Sequence, residues 1–159
     1  MKYEHFEQLP VRQASIELAV EVYAFTAKPS FTGKHSLRDQ IERAAASISN
    51  NIVEGFERGA NQELLAFLYI SRGSCGEVRP MLCLLERLPA FDGLEIDILN
   101  LKSNAEAISK ELGASVRSIQ NSGMKGERFV TDKTRKTDQA SRQRKAFLEK
   151  LDEIRNKGS

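Results

Sequence analysis

The sequence predicts an all-α fold, an up-down-up-down antiparallel four-helix bundle with an extra C-terminal helical or flexible extension. Three observations carry this expectation. No alternating apolar–polar run of useful length for a strand occurs in the 159 residues. Leu94, Ile98, Leu101, Ala105, Ile108, Leu112, Ser115 and Ile119 follow a strict four-three spacing, the heptad seam that packs at about 20° against antiparallel neighbours. Leu64, Leu68, Ser71, Cys75, Val78, Leu82 and Leu85 repeat that spacing one segment earlier.

The first helix is expected from about Val11 to Ala27, with Pro10 suited to its first turn and Pro29 closing it. Val11, Leu18, Val22 and Phe25 form its apolar stripe, flanked by Ala19 and Tyr23. A second helix should start near Ser36, whose hydroxyl can cap the amide of Asp39, and run to Arg58 before Gly59 stops it. Leu37, Ile41, Ala44, Ile48 and Ile52 give its buried row. Asn61 is the next candidate cap, opening a third helix that continues to about Leu88, with Pro80 expected to kink or loosen one turn. The short break at Gly59-Ala60 makes the second and third helices an antiparallel hairpin. Pro89 and the Asp92-Gly93 turn end the third helix, and the fourth spans about Leu94 to Gln120. Residues 1–121 thus form the bundle, and 122–159 a basic linker with a C-terminal amphipathic segment. In that segment Ala140, Arg144, Phe147, Leu151 and Ile154 keep helical spacing.

Composition narrows the class. Apolar residues make up 40% and charged residues 29%, ordinary for a globular chain. Nothing approaches the roughly 20 consecutive apolar residues of a membrane span, and MKYEHFEQLP has no apolar core of a signal peptide. A cytoplasmic protein is expected. Cys75 and Cys83 are eight residues apart, about 12 Å along one helix, too far for a disulfide. The net charge of +2 hides an asymmetry: residues 1–121 hold 13 Lys and Arg against 16 Asp and Glu, whereas residues 122–159 hold 11 against 6.

Residues 47–59, SISNNIVEGFERG, keep helical spacing yet contain two asparagines and a glycine. Asn costs a helix interior roughly half a kcal/mol relative to Ala, and Gly roughly one. Arg43, Ser47, Asn51, Glu54 and Arg58 form a polar stripe beside the apolar row. With the hairpin turn near residue 60, Ala44-Ala45-Ala46 should lie alongside Gly73-Gly76, small residues allowing close backbone approach. The asparagines and Glu54 would then be partly buried within a hydrogen-bonded network. A catalytic reading finds no histidine nearby, no activated nucleophile and no phosphate-cradling glycine loop. His5 and His35 lack helical spacing to a carboxylate pair. No enzyme activity, metal or cofactor is expected. The third helix carries more apolar surface, LLAFLYI and MLCLL, than one seam can use, so self-association is expected.

The run QIERAAASISNNIVEGFERGANQELLAFLYISRGSCGEV, residues 40–78, resembles the signature of the four-helix-bundle proteins encoded in intervening sequences of 23S ribosomal RNA genes. Gln40, Ile41, Arg43, Ala44, Ala45, Ser47, Ile48, Asn51, Ile52, Glu54, Gly55, Arg58, Phe67, Leu68, Gly73, Ser74 and Glu77 fall on that pattern in order. Glu42, Ser49, Val53 and Arg12 depart from it. The resemblance covers about residues 3–121 and implies rings, typically pentamers. Related bundles are accessory proteins of diversity-generating retroelements, where a basic surface engages nucleic acid and the reverse transcriptase. The expected function is a non-enzymatic homo-oligomeric accessory factor of a nucleic-acid or ribonucleoprotein process, its partners RNA, DNA or such a protein. A pure interaction scaffold is the alternative. Outside the resemblance, Lys133, Arg135, Lys136, Arg142, Arg144 and Lys145 form a basic arm expected to attract polyanions.

Overall fold

The computed structural model describes residues 10–121. The expected basic arm and last helix lie outside the described residues. Four helices follow one another: α1 (Pro10–Thr26), α2 (His35–Glu57), α3 (Asn61–Leu85) and α4 (Glu95–Asn121). Short 3₁₀ turns at Pro29–Phe31 and Pro89–Phe91 precede α2 and α4. Each helix packs on its neighbours in sequence, and α1 also packs on α4, which closes the bundle. The predicted architecture is present.

The core follows the expected rows with local shifts. Val11, Leu18, Val22 and Phe25 of α1 are buried, and so are Ile41, Ala44, Ile48 and Ile52 of α2. In α3 the seam read from spacing, Leu64, Leu68, Ser71, Cys75, Val78, Leu82 and Leu85, is buried, and Asn61 and Ser74 are buried beside it. In α4 the row passes from Leu112 to Val116 rather than to Ser115. An α-helix turns by 3.6 residues and drifts off a strict seven-residue repeat, so the row slips by one position.

Both expected caps are displaced by the turns before them. Helix α2 starts at His35 after Lys34, so Ser36 sits inside the first turn, its Oγ accepting from Gln40 Nε2 at 3.3 Å. Helix α3 starts at Asn61 with Ala60 in the capping position and ends at Leu85, not Leu88. Pro80 interrupts nothing: α3 runs unbroken through it. Gly76 and Pro80 are both exposed, which leaves the carbonyl that proline cannot serve to water.

The bundle is built from two hairpins of one design. Phe31 N–H donates to the Lys28 carbonyl at 3.0 Å and Lys34 N–H to the Phe31 carbonyl at 2.9 Å. Sixty residues later, Phe91 N–H donates to Leu88 at 2.9 Å and Leu94 N–H to Phe91 at 3.1 Å. Gly33 (φ 76°) and Gly93 (φ 85°) supply the left-handed residue that each reversal requires. The same offset relates buried positions: Ser15 and Cys75, Val22 and Leu82, Ile41 and Leu101, Ile48 and Ile108, Phe56 and Val116. The two turn phenylalanines meet edge to face at 4.9 Å, with Phe25 5.4 Å from Phe31 and 6.4 Å from Phe91.

Candidate functional site

The polar stripe of α2 divides in two. Its upper part ties α2 to α3. Ser71, fully buried, donates its hydroxyl to the Ile48 carbonyl at 3.0 Å, and Ser74 Oγ lies 3.1 Å from Ser47 Oγ. Asn51 donates to the Ser47 carbonyl at 2.7 Å and to Ser47 Oγ at 2.9 Å. Of the two asparagines expected to be partly buried, Asn51 is half-buried and its amide closes a small network on the hydroxyls that join the helices, whereas Asn50, one step round the helix, is exposed. These bonds pin the register of the hairpin about a turn near residue 60.

The lower part is a surface. Glu54 is 51% exposed, contrary to its expected burial, because the helix phase that buries Gly55 and Phe56 turns residue 54 outward. Arg58 bonds Glu54 at 2.7 Å, reaches Glu63 at 3.4 Å, and lies 4.9 Å from the centre of the Phe67 ring. Hydrogen bonds donated to Glu54 and then to Glu63 raise the Arg58 guanidinium above its ordinary value. Such exposed pairs contribute little to stability.

The glycines exchange their expected roles. A Cβ on Gly55 would fall 2.6 Å from Phe67 Cβ and 3.3 Å from Leu64 Cα, so the close helix approach is here. Gly73 and Gly76 have nothing within 4 Å of the corresponding position. They do not receive Ala44–Ala46; they face open space. Arg43, Ser47, Gly73, Ser74 and Glu77 instead converge on a groove of about 700 Å³ between α2 and α3. Ile70, half exposed, lines one side of it, and Pro80 and Met81 continue it. A second, more polar depression of about 510 Å³ joins Tyr23 to Asn50, Asn51 and Glu54. Spacing identified these side chains but not the groove, and it missed Ile70 and Met81 as its apolar lining.

Among the described residues no group of three or more His, Cys, Asp or Glu side chains gathers to hold a metal. No described helix is long and apolar enough to cross a membrane. Burial pushes the Cys75 thiol up to about 11 from the ordinary 9.0. The stability tied to the neutral thiol is full below the ordinary value and is lost as pH rises toward the folded one. Iodoacetamide at pH near 8 should therefore modify half-buried Cys83 in the folded protein and reach Cys75 only after denaturation. Two adducts on the folded protein, read by mass spectrometry, would contradict this.

The sequence model of one protein family, described as 23S rRNA-intervening sequence protein, matches residues 7–114, more than half of the chain. No curated protein matches it.

Proposed function

We propose, from the premise that this chain belongs to the 23S rRNA-intervening sequence protein family, that it acts without catalysis as a homo-oligomeric accessory factor of a nucleic-acid or ribonucleoprotein process. The single observation that supports assembly most is the outer face of α3. There Ile70 and Leu84 are about half exposed, and Gly73 and Gly76 stand open between them. Helical glycine with nothing to accommodate costs roughly 1 kcal/mol relative to alanine. A second copy of the helix pair fits such a surface, because the missing side chains let its backbone approach and the apolar side chains gain a partner. The resemblance supplies the number, a ring of five.

Light scattering at micromolar concentration should give a mass several times the 17.8 kDa of one chain, and a mass near one chain would refute assembly. Gly73→Ala sharpens the test. It should raise the stability of the single chain by about 0.5–1 kcal/mol while weakening the oligomer. An unchanged oligomer would place the interface elsewhere.

Oligomerisation and nucleic-acid binding are joined in this reading by geometry. Several copies of the basic segment carrying Lys133, Arg135, Lys136, Arg142, Arg144 and Lys145 in one oligomer would raise the effective concentration of contacts for a bound strand. The partner is RNA or DNA, with a reverse transcriptase or similar protein as a further partner.

A further inference from the structure

The two hairpins share a design, so a groove in one has a counterpart in the other. In the first hairpin Thr26 donates to Glu42 at 2.5 Å across α1 and α2. Sixty residues on, Lys102 donates to Glu86 at 3.0 Å across α3 and α4. The registers match, and the grooves can be compared position by position. Where α2 carries Val53 and Glu57, α4 carries Gly113 and Arg117; where α1 carries Ala19, α3 carries Arg79. The α3–α4 groove has lost a side chain from its floor and an acid from its wall, and has gained two guanidinium groups.

One of them, Arg117, meets Arg72, whose counterpart in the first hairpin is also an arginine, Arg12. From the point where a Cβ on Gly113 would sit, Arg117 Nη1 is 3.5 Å away and Arg72 Cζ 3.6 Å. Arg72 and Arg117 are therefore neighbours across the groove, and neither has a carboxylate partner among the described residues. The carboxylates on this side are already committed: Glu106 to Lys110 at 2.8 Å and Glu86 to Lys102 at 3.0 Å. Lys110, and more weakly the field of Arg79, hold the Glu106 carboxyl below its usual range. Arg79 lies seven residues past Arg72, and Arg117 seven past Lys110, so each helix contributes a row of cations about 10 Å long. At the end of the groove Tyr69 is 49% exposed, its hydroxyl accepting from Gln120 Nε2 at 3.2 Å.

We propose that the α3–α4 groove is a binding site for the phosphodiester backbone of a single-stranded nucleic acid, with Arg72 and Arg117 holding one phosphate between them over Gly113. Two neighbouring guanidinium groups repel unless an anion lies between them, and their planar forks match phosphate oxygens. Tyr69 offers a ring face for a base, completing the combination of basic groove and aromatic platform that takes up single strands. An acidic peptide would use the cations but not the ring. This site rests on the accessory-factor reading and gives it a place on the bundle, in addition to the arm.

The test uses the full chain and a labelled single-stranded RNA of about twelve nucleotides, followed by fluorescence anisotropy at low salt. Arg72→Ala with Arg117→Ala should weaken binding at least tenfold and reduce the salt slope by about 0.7, the value for one lost phosphate contact on a single strand. Lys34→Ala with Arg87→Ala, which removes equal charge elsewhere, should cost less than threefold. Gly113→Asp plants a carboxylate between the two guanidinium groups. It should abolish the same binding while leaving the melting temperature unchanged or higher, which separates an anion site from a packing role. A DNA strand of the same sequence should respond alike, because the phosphate is shared. Equal losses from both double variants would overturn the site, as would competition by polyglutamate as effective as by oligonucleotide. Binding unchanged in the groove variants but lost on truncation after Asn121 would overturn the groove and leave the accessory reading standing. No binding by the unmodified chain would overturn both.

Discussion

Phe91→Ala should destabilise the bundle by about 3–5 kcal/mol, the largest loss expected of any single truncation. Phe91 is 2% exposed and lies at the meeting point of the two hairpins, 4.9 Å from the Phe31 ring and 6.4 Å from Phe25. Removing its ring takes away buried area and two aromatic contacts, each worth roughly 0.5–1.5 kcal/mol beyond that area. The backbone around it has little room to collapse, because the 3₁₀ turn at Pro89–Phe91 and Gly93 fix its course. In a domain of this size the melting temperature should fall by roughly 10–25 °C. Phe91→Leu, keeping most of the volume, should lose less than half as much. The melts must be compared at one protein concentration, since assembly raises apparent stability by mass action. A loss below about 1 kcal/mol would mean that Phe25 and Phe31 close the gap.

Gly55→Ala should be the second most damaging change, although alanine is the better helix former by roughly 1 kcal/mol. The new methyl would fall 2.6 Å from Phe67 Cβ and 3.3 Å from Leu64 Cα. Both atoms belong to or adjoin the α3 backbone and cannot swing aside, so α2 and α3 must part. Overpacking of this kind costs typically 1–3 kcal/mol, and a net loss near 2 kcal/mol is expected. The serine bonds that set the hairpin register, Ser71 to Ile48 and Ser74 to Ser47, would be strained along with it. Denaturant unfolding should show a lower midpoint at an unchanged slope. A Gly55→Ala variant as stable as the parent would mean the hairpin opens at little cost.

The fold was legible because the α3 and α4 rows repeat for several turns, and a long repeat outweighs local exceptions. The helix starts were not, because Ser36 and Asn61 are good capping residues standing two places and one place past the capping positions, Lys34 and Ala60, that the turns had already chosen. Glycine carries no hydropathy, so composition alone does not distinguish a glycine facing inward from one facing outward. Phase would have helped: Gly55 lies seven residues after Ile48, in the buried row, whereas Gly73 and Gly76 fall between Ser71, Cys75 and Val78. The pairing of Arg72 with Arg117 had no local signal, since the two are 45 positions apart in the sequence and meet only through packing. The sixty-residue kinship of the hairpins was equally hidden. Its few shared identities, among them the prolines, phenylalanines and glycines of the two turns, are sparse against a background of exchanged apolar residues.

That kinship bears on how the chain finds its shape. Two of its three reversals are settled within a few residues, by hydrogen bonds from Phe31, Lys34, Phe91 and Leu94 to carbonyls three positions back. Each needs only a short segment to close, for which the entropic cost is small. No distant contact has to exist before either half can turn back on itself. What remains of the search is the meeting of two similar halves, a topology rich in local contacts and so at the rapid end of folding rates.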